Sequence, residues 1–208
     1  LTTTQRNSRK DWLELGRSFN TGGIVFVTVL IKENDMPKGF ATKFPKVSGT
    51  WYHMHDRVEK HPTYKDVEVC DEWFKLSKFV NWMEQQDYNR VENSQLDKDI
   101  PIPGSKIYSP QSCIFVSPWL NKILTGPKGK GATFHKGTRK WYAQIRIIGE
   151  KSQRSLGYFD TLEEARDCHC KAKSEKFIGI ANNLTEKDTS DIERTREGLI
   201  QHARLLLE

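Results

Sequence analysis

Basic side chains are concentrated in one stretch of the chain, between residues 126 and 156. Eight lysines or arginines lie there against a single acid, Glu150, so the positive excess of this stretch exceeds the net +6 of the whole chain. Arg and Lys side chains hold phosphates, and Arg and Gln side chains can form paired hydrogen bonds to base edges. The stretch therefore predicts a surface that recognises a polyanion.

The elements that must position these side chains read as three strands followed by one helix, within residues 131–182. Thr161 has the residue type of an N-cap, two glutamates follow it in the first turn, and the helix is predicted over residues 162–177. Gly179 is expected to end this helix. A last helix is predicted over residues 190–207, and its apolar stripe either packs on the body or mediates self-association.

The part of the chain before the basic stretch mixes helical and strand patterns, which predicts an α+β fold. The predicted elements are a polar arm (1–20) that is disordered or contacts phosphates, a buried strand (23–32), a helix from Ser48, a strand (67–69), a helix (71–86), a strand (96–100) and a hairpin-and-helix segment (106–121).

Histidine and cysteine spacing argues against a local metal motif. No CxxC pair occurs, and in Cys168-His169-Cys170 the two thiols are two positions apart, which on a helix points them in different directions. His53 and His55 are also two apart, whereas a helical ligand pair wants four, so solvent exposure or a local hydrogen bond is the expectation for both. The four cysteines are expected to be reduced.

The bulk composition is that of a globular protein, with 36% hydrophobic and 29% charged residues. No apolar run reaches the roughly 18 residues that a membrane-spanning helix needs. We therefore expect a cytoplasmic protein with no membrane partner; the composition does not indicate an oligomeric state.

Motifs upstream of the basic stretch resemble those of bacteriophage HNH-family endonucleases of the homing type. The resemblance covers roughly residues 45–125, and these segments carry it: Trp51…Met54…Arg57, Tyr64-Lys-Asp-Val67, Val69-Cys-Asp-Glu-Trp73, Phe79…Trp82-Met83, Leu96-Asp-Lys-Asp-Ile100, Tyr108-Ser-Pro-Gln-Ser-Cys113-Ile-Phe-Val116 and Asn121.

The basic stretch resembles the Apetala/ethylene-response-factor DNA-binding domain, which in phages often follows an HNH module. The matching residues are Gly131, His135-Lys136, Lys140-Trp141, Ile145-Arg146, Leu156-Gly-Tyr-Phe-Asp-Thr161 and Glu163-Glu-Ala165. Together the resemblances imply an arm and strand (1–44), an HNH-like ββα module (45–125), a reading domain (126–183) and a C-terminal helix (184–208), in the cytoplasm of a phage-infected bacterial host.

HNH chemistry uses a histidine as general base and a divalent metal that stabilises the leaving oxygen. Matching Lys98-Asp99-Ile100 to the family's Asp-His-Ile puts Asp99 at the position of the base, and Ser112 falls at the position of the family's Asn. The resemblance implies that Mg²⁺ or another divalent metal would be held by Asp97, Asp99 and Asn121.

The chain departs from the HNH pattern at the general base. No histidine lies between His61 and His135, and an aspartate with a pKa near 4 accepts a proton from water poorly. Two hypotheses follow: a DNA-binding protein that retains metal-dependent phosphodiester cleavage, or a catalytically inactive relative, without a metal, that binds DNA or serves assembly.

In relatives of the reading domain, the sheet lies in the major groove of double-stranded DNA. Strand alternation predicts an outer face and a face that turns to the helix. The outer face would carry Thr138, Gln144, Arg146, Gln153 and Ser155, and the helix-facing set is Ala143, Ile145 and Ile147. Arg146 would read guanine and Gln144 adenine. The predicted phosphate contacts are Lys130, Lys136, Arg139, Lys140 and Arg154.

A third hypothesis is RNA binding, because a basic sheet with aromatic residues also suits RNA. In that case Trp141 and Tyr158 would be exposed for stacking on bases. For DNA binding, core packing is the expectation for Trp141 and Phe159.

Overall fold

The computed structural model describes residues 33–124, 131–146 and 153–208, which all belong to one compact unit, Ile31–Glu208. The helices are α1 (Phe40–Lys43), α2 (Pro45–Lys60), α3 (Leu76–Glu84), α4 (Pro118–Asn121), α5 (Leu162–Asn182) and α6 (Ile192–Arg204). The strands are β1 (Glu68–Val69), β2 (Gln95–Asp97), β3 (Ile107–Tyr108), β4 (Ile114–Val116), β5 (Ala132–His135), β6 (Lys140–Arg146) and β7 (Gln153–Phe159). The predictions for the arm (1–20), the strand (23–32), Lys130 and Ile147 lie outside the described residues.

Mixed helix and strand, with a three-stranded antiparallel sheet and C-terminal helices, agrees with the predicted α+β class. Two short pairs of strands precede that sheet. β1 pairs with β3 in parallel, and β2 pairs with β4 in antiparallel orientation, directly before α4. None of the helices within the described ranges is both long and apolar enough to cross a bilayer.

Aromatic residues of α2 and of the segment around α3 build the first core. Trp51 and Met54, three positions apart on α2, are both buried. The segment around α3 contributes a second buried set: Trp73, Leu76, Phe79, Val80 and Met83. The Trp51 indole N–H donates to the carbonyl oxygen of Trp73 at 2.6 Å, which satisfies the one polar atom of a side chain with almost no exposed surface.

The helix predicted over residues 71–86 is interrupted. A 3₁₀ turn, Asp71–Phe74, is separated from α3 by Lys75, whose backbone is extended. Lys75 forms a β-bridge with Glu33, in which the Glu33 N–H donates to Phe74 O at 2.8 Å and the Leu76 N–H donates to Glu33 O at 3.1 Å. This long-range bridge competes with the helical hydrogen bonds and was not visible in the local periodicity.

Two further predictions for α2 need correction. The helix begins at Pro45, not at Ser48, because proline is well suited to a first helical position. His55 is buried, and its Nε2 lies 3.0 Å from Trp73 O, 18 residues away. His53 is exposed, as expected.

The predicted three-stranded sheet is present. β5, β6 and β7 form an antiparallel sheet in sequence order, and α5 packs on one of its faces. α5 starts as predicted with a capping box, in which Thr161 Oγ1 accepts from the Glu164 N–H and the Glu164 carboxylate accepts from the Thr161 N–H.

The prediction that Gly179 ends this helix is wrong. α5 continues to Asn182, and Gly179 does not have the positive φ of a glycine cap. Phe177 and Ala181, on either side of Gly179, are buried against the second core, so tertiary packing extends the helix past a weak local position.

Replacing Thr161 with alanine is expected to lower the free energy of unfolding by about 1 kcal/mol, because it removes the hydroxyl that accepts from the Glu164 N–H. For a unit of this size, thermal denaturation would then show a midpoint roughly 2–4 °C lower. Thr161→Ser keeps the hydroxyl and should behave like the wild type; equal losses for both variants would show that the cap does not stabilise the helix.

The last helix, α6, packs against the second hydrophobic core. Leu199 and Ala203 are buried in the second core with Ile114, Val116 and Phe177. A β-bridge between Val116 and Thr189 ties the segment before α6 to β4. The second core therefore joins the β2–β4 pair, α5 and α6.

Candidate nucleic-acid interface

The register of the three strands determines which side chains share the outer face of the sheet. Residues directly opposite in an antiparallel ladder lie on one face, and faces alternate along each strand. Gln144 pairs with Ser155, and Arg146 pairs with Gln153. These four side chains, each predicted from the sequence to point outward, therefore lie on the same face.

A β-bulge between Ala143 and Gln144 sets this arrangement. β7 has one extra residue there, Leu156, and Gly157 next to it has a φ of +125°. Because the extra residue shifts the alternation by one, Ser155 faces outward together with Tyr158 instead of inward.

The opposite face turns to α5 as predicted. Ala143 and Ile145 of β6 are buried, and Trp141 and Phe159 are half-buried on the same face. Arg154 pairs with Ile145, so its position belongs to this helix side and not to the face of Arg146. The bulge explains this position, because the extra residue in β7 exchanges the faces on which the residues before it lie.

α5 also holds the backbone of β6 through two hydrogen bonds. His169 Nδ1 donates to Gln144 O at 3.0 Å, and the Lys176 ammonium donates to Arg146 O at 2.9 Å. His169 packs so closely on the sheet that a Cβ on Gly131 would lie 2.1 Å from its ring. His169, the histidine of the Cys-His-Cys tripeptide, thus holds the backbone of Gln144, and Lys176 holds that of Arg146. The sequence assigned these two strand residues to base reading.

Burial lowers the pKa of both α5 side chains that hold β6, Lys176 and His169. It lowers the pKa of Lys176, and the neighbouring charges of Lys173 and Arg146 lower it further. Burial likewise lowers the pKa of His169, although its hydrogen bond to Gln144 opposes the change. A neutral His169 still carries the Nδ1–H that the Gln144 carbonyl needs.

Aromatic rings share the outer face with the polar side chains. The Tyr142 and Tyr158 rings lie 4.9 Å apart between centroids, and the His135 ring lies 5.5 Å from that of Tyr158. Tyr158 is 48% exposed. Tyr142 and His135 were not predicted to belong to the interface. Tyr142 could have been found from the sequence, because it lies two positions before Gln144 and so shares its face. His135 could not, because its place on this face follows from its pairing with Lys140.

Three of the predicted phosphate contacts, Lys136, Arg139 and Lys140, lie in or next to the β5–β6 turn. Lys136 and Arg139 lie in this turn, and Arg139 has a left-handed φ of +53°. Lys140, at the start of β6, forms an ion pair with Asp160 at 3.0 Å. Thr138 was predicted on the outer strand face, which is wrong: it lies in the turn, where its Oγ1 is 3.1 Å from His135 Nδ1.

In the segment that resembles the HNH module, residues 45–125, Asp97 stabilises a turn. Its Oδ1 accepts the backbone N–H groups of Asp99 at 3.0 Å and Ile100 at 2.7 Å, so the strand predicted over residues 96–100 ends at Asp97. Burial raises the pKa of Asp97 to about 6, against the lowering effect of these two hydrogen bonds.

Asp99 and the buried Lys98 form an ion pair. The Lys98 ammonium donates to Asp99 Oδ1 at 2.7 Å and to Ser105 O at 2.7 Å. A divalent cation on Asp99 would lie beside this ammonium, while Asp97 already accepts two backbone donors. Mg²⁺ requires near-octahedral oxygen ligands, and the arrangement does not fit such an ion.

Ser112 and Asn121, the other two residues matched to the nuclease motif, are hydrogen-bonded locally. The Ser112 hydroxyl donates to Ile107 O at 2.6 Å, and the Asn121 amide donates to Gln95 Oε1 at 2.7 Å. Across residues 33–124, 131–146 and 153–208, no group of three or more His, Cys, Asp or Glu side chains is placed to hold a metal ion.

Replacing Asp97 with asparagine is expected to stabilise the protein at neutral pH. The folded pKa of about 6 lies above the unfolded value near 3.8, so ionisation of Asp97 costs stability as the pH rises from about 4 through 6. Asparagine keeps the acceptor oxygen without the charge, and the gain near pH 7.5 is on the order of 3 kcal/mol, since each unit of pKa difference is worth about 1.4 kcal/mol.

Chemical denaturation of both proteins near pH 4 and near pH 7.5 measures this difference. The expected result is a gap that is small in acid and grows towards neutral pH. A variant that is less stable than the wild type by the same amount at both values would contradict the assignment of a raised pKa to Asp97.

No protein-family model, curated protein or solved structure matches this chain. The functional inference therefore depends on the geometry of the chain itself.

Proposed function

We propose that this chain binds double-stranded DNA through the outer face of its three-stranded sheet. The observation that carries the proposal is the register, which groups Gln144, Arg146, Gln153 and Ser155 on one face. These side chains include the types that read adenine and guanine in the major groove. The resemblance to the Apetala/ethylene-response-factor domain supports the same mode of binding.

The dimensions of the sheet suit a major groove. Three strands spaced about 4.8 Å apart give a ribbon about 10 Å wide, and the major groove of B-DNA is about 12 Å wide. Lys136 and Arg139, in the turn at one end of the sheet, can reach phosphates at the groove edge. α5, on the opposite face, keeps the ribbon stiff through its contacts with β6.

RNA is a second candidate, favoured by the aromatic rings of the outer face. Tyr158 is exposed, as RNA stacking would require, whereas Trp141 is half-buried on the helix side, as DNA binding would require. Duplex DNA is favoured because Gln144 and Arg146 follow Tyr142 at successive outward positions of β6, the central strand of the sheet.

Affinities for duplex DNA and for a structured RNA, measured at one fixed salt concentration, test the proposal. Tighter binding to the duplex, with an affinity that depends on its sequence, is the expected result. Preferential binding of the RNA, with loss of affinity in a Tyr158→Ala variant, would support the second candidate instead.

A further inference from the structure

A polar cleft between α2 and β2 contains none of the residues of the three-stranded sheet. It encloses about 440 Å³. Its lining consists of Thr50, His53, Asp56 and Arg57 from α2, Ser94, Gln95 and Leu96 at β2, and Asn121 at the end of α4.

Two observations point to a ligand that accepts hydrogen bonds. Ser94 Oγ is buried and has no hydrogen-bond partner among the described residues, and an unsatisfied buried hydroxyl is costly. Within the same described part of the chain, no carboxylate forms an ion pair with Arg57. A donor and a cation thus line one cleft.

Arg57 is held in place for such a contact. Its Nε donates to the carbonyl oxygen of His53 at 3.3 Å, and its guanidinium carbon lies 6.0 Å from the centroid of the Tyr64 ring. Those contacts use one N–H and one face of the guanidinium, and the terminal nitrogens carry four further N–H donors. A planar guanidinium of this kind suits a phosphate.

The one carboxylate of the cleft, Asp56, forms an ion pair with Lys60. Its negative charge is therefore offset by an ammonium on the same helix. The Asn121 amide already donates one N–H to Gln95 and keeps a second for a ligand. These residues line a space large enough for a phosphate and an attached sugar.

We propose that this cleft binds a phosphate group, with Arg57 supplying positive charge and N–H donors, and His53, Ser94 and Asn121 supplying hydrogen bonds. The phosphate belongs either to a nucleic-acid backbone or to a free nucleotide. The site does not depend on the sheet, and its chemistry is binding only.

Titration with inorganic phosphate at constant ionic strength, followed through the NMR signals of the His53 ring and the Ser94 amide, tests the proposal. Saturable shifts are expected in the wild type. Arg57→Gln should weaken this binding about tenfold, because a charge-assisted hydrogen bond is worth about 1.5–3 kcal/mol. Arg166→Gln, which removes the same charge from an exposed position on α5, is the matched control.

His53→Gln, at an exposed position, is a second variant that should fold normally even if Arg57→Gln does not. It should weaken phosphate binding while thermal denaturation remains as in the wild type. Shifts that never saturate, or equal affinities in Arg57→Gln, His53→Gln and Arg166→Gln, would overturn the proposal.

Two further arms distinguish the source of the phosphate. If the backbone of a duplex fills the cleft, Arg57→Gln lowers duplex affinity and reduces the salt slope by about one. If a nucleotide fills it, a mononucleotide competes with inorganic phosphate and duplex affinity is unchanged. A Gln144→Ala/Arg146→Ala protein should retain phosphate binding, so failure of the sheet proposal and failure of the cleft proposal give different results.

Discussion

Replacing Gln144 and Arg146 together with alanine is expected to weaken binding to the preferred duplex by about 100-fold or more. Both side chains lie on the outer face of the sheet, in successive outward positions of β6. A bidentate contact with the correct base is worth about 1–3 kcal/mol, and each 1.4 kcal/mol is about tenfold in affinity. Fluorescence anisotropy with a labelled duplex measures the loss.

Sequence selection separates base reading from a general loss of charge. Arg146→Ala alone should reduce affinity for the preferred duplex more than for unrelated duplexes, because a bidentate contact with guanine discriminates between bases. Arg166→Ala removes an equal charge from an exposed position on α5 and should change both affinities little. An equal loss on all duplexes in Arg146→Ala would show that Arg146 contacts phosphates instead of bases.

Replacing Gly198 with alanine is expected to destabilise the protein by about 3 kcal/mol or more. A Cβ at this position in α6 would lie 1.9 Å from the carbonyl oxygen of Ile100 and 2.8 Å from Pro101 Cα. Both neighbours are backbone atoms, so neither can rotate away, and α6 would have to move from the second core. The midpoint of thermal denaturation should fall by roughly 6–12 °C.

Gly179→Ala is the matched control, because this glycine lies inside α5 and a Cβ there would meet no atom within 4 Å. Alanine in a helix is favoured over glycine by roughly 0.5–1 kcal/mol, so this variant should be slightly more stable than the wild type. If Gly198→Ala were as stable as Gly179→Ala, the close packing of α6 on the turn at Ile100 would be refuted.

Local signals were sufficient to predict the sheet and the start of α5. Alternation in β6 predicted that Ala143 and Ile145 turn inward, and the Thr161 cap with its glutamates predicted the first turn of the helix. These features depend on neighbours within a few residues. The prediction that Gly179 ends α5 was wrong because it used only local signals. The packing that keeps α5 helical past this glycine comes from α6, which is distant in sequence.

Long-range contacts account for what the sequence did not predict. The bridge of Lys75 to Glu33 joins residues about 40 positions apart, so no local sequence pattern predicts it. The bulge between Ala143 and Gln144, where β7 has one extra residue, was not predicted either, because it appears only in the pairing of two strands. A residue role inferred from a sequence motif takes account of neither long-range bridges nor bulges.

The candidate residues of the upstream module show this most clearly. A sequence match placed Asp97, Asp99, Ser112 and Asn121 in a metal-dependent site, whereas hydrogen bonds tie them to backbone groups, Lys98 and Gln95. His53 and Arg57 were not candidates, because the strand that completes their cleft follows about 40 residues later in the chain.

Mapping of backbone amide chemical shifts during titration with a duplex tests the central claim most directly. If the outer face of the sheet binds DNA, the largest changes will occur at Tyr142, Gln144 and Arg146 of β6 and at Gln153 and Ser155 of β7, while the exposed side of α5 around Arg166 stays unchanged. Changes centred on α5, with β6 and β7 unaffected, would contradict it.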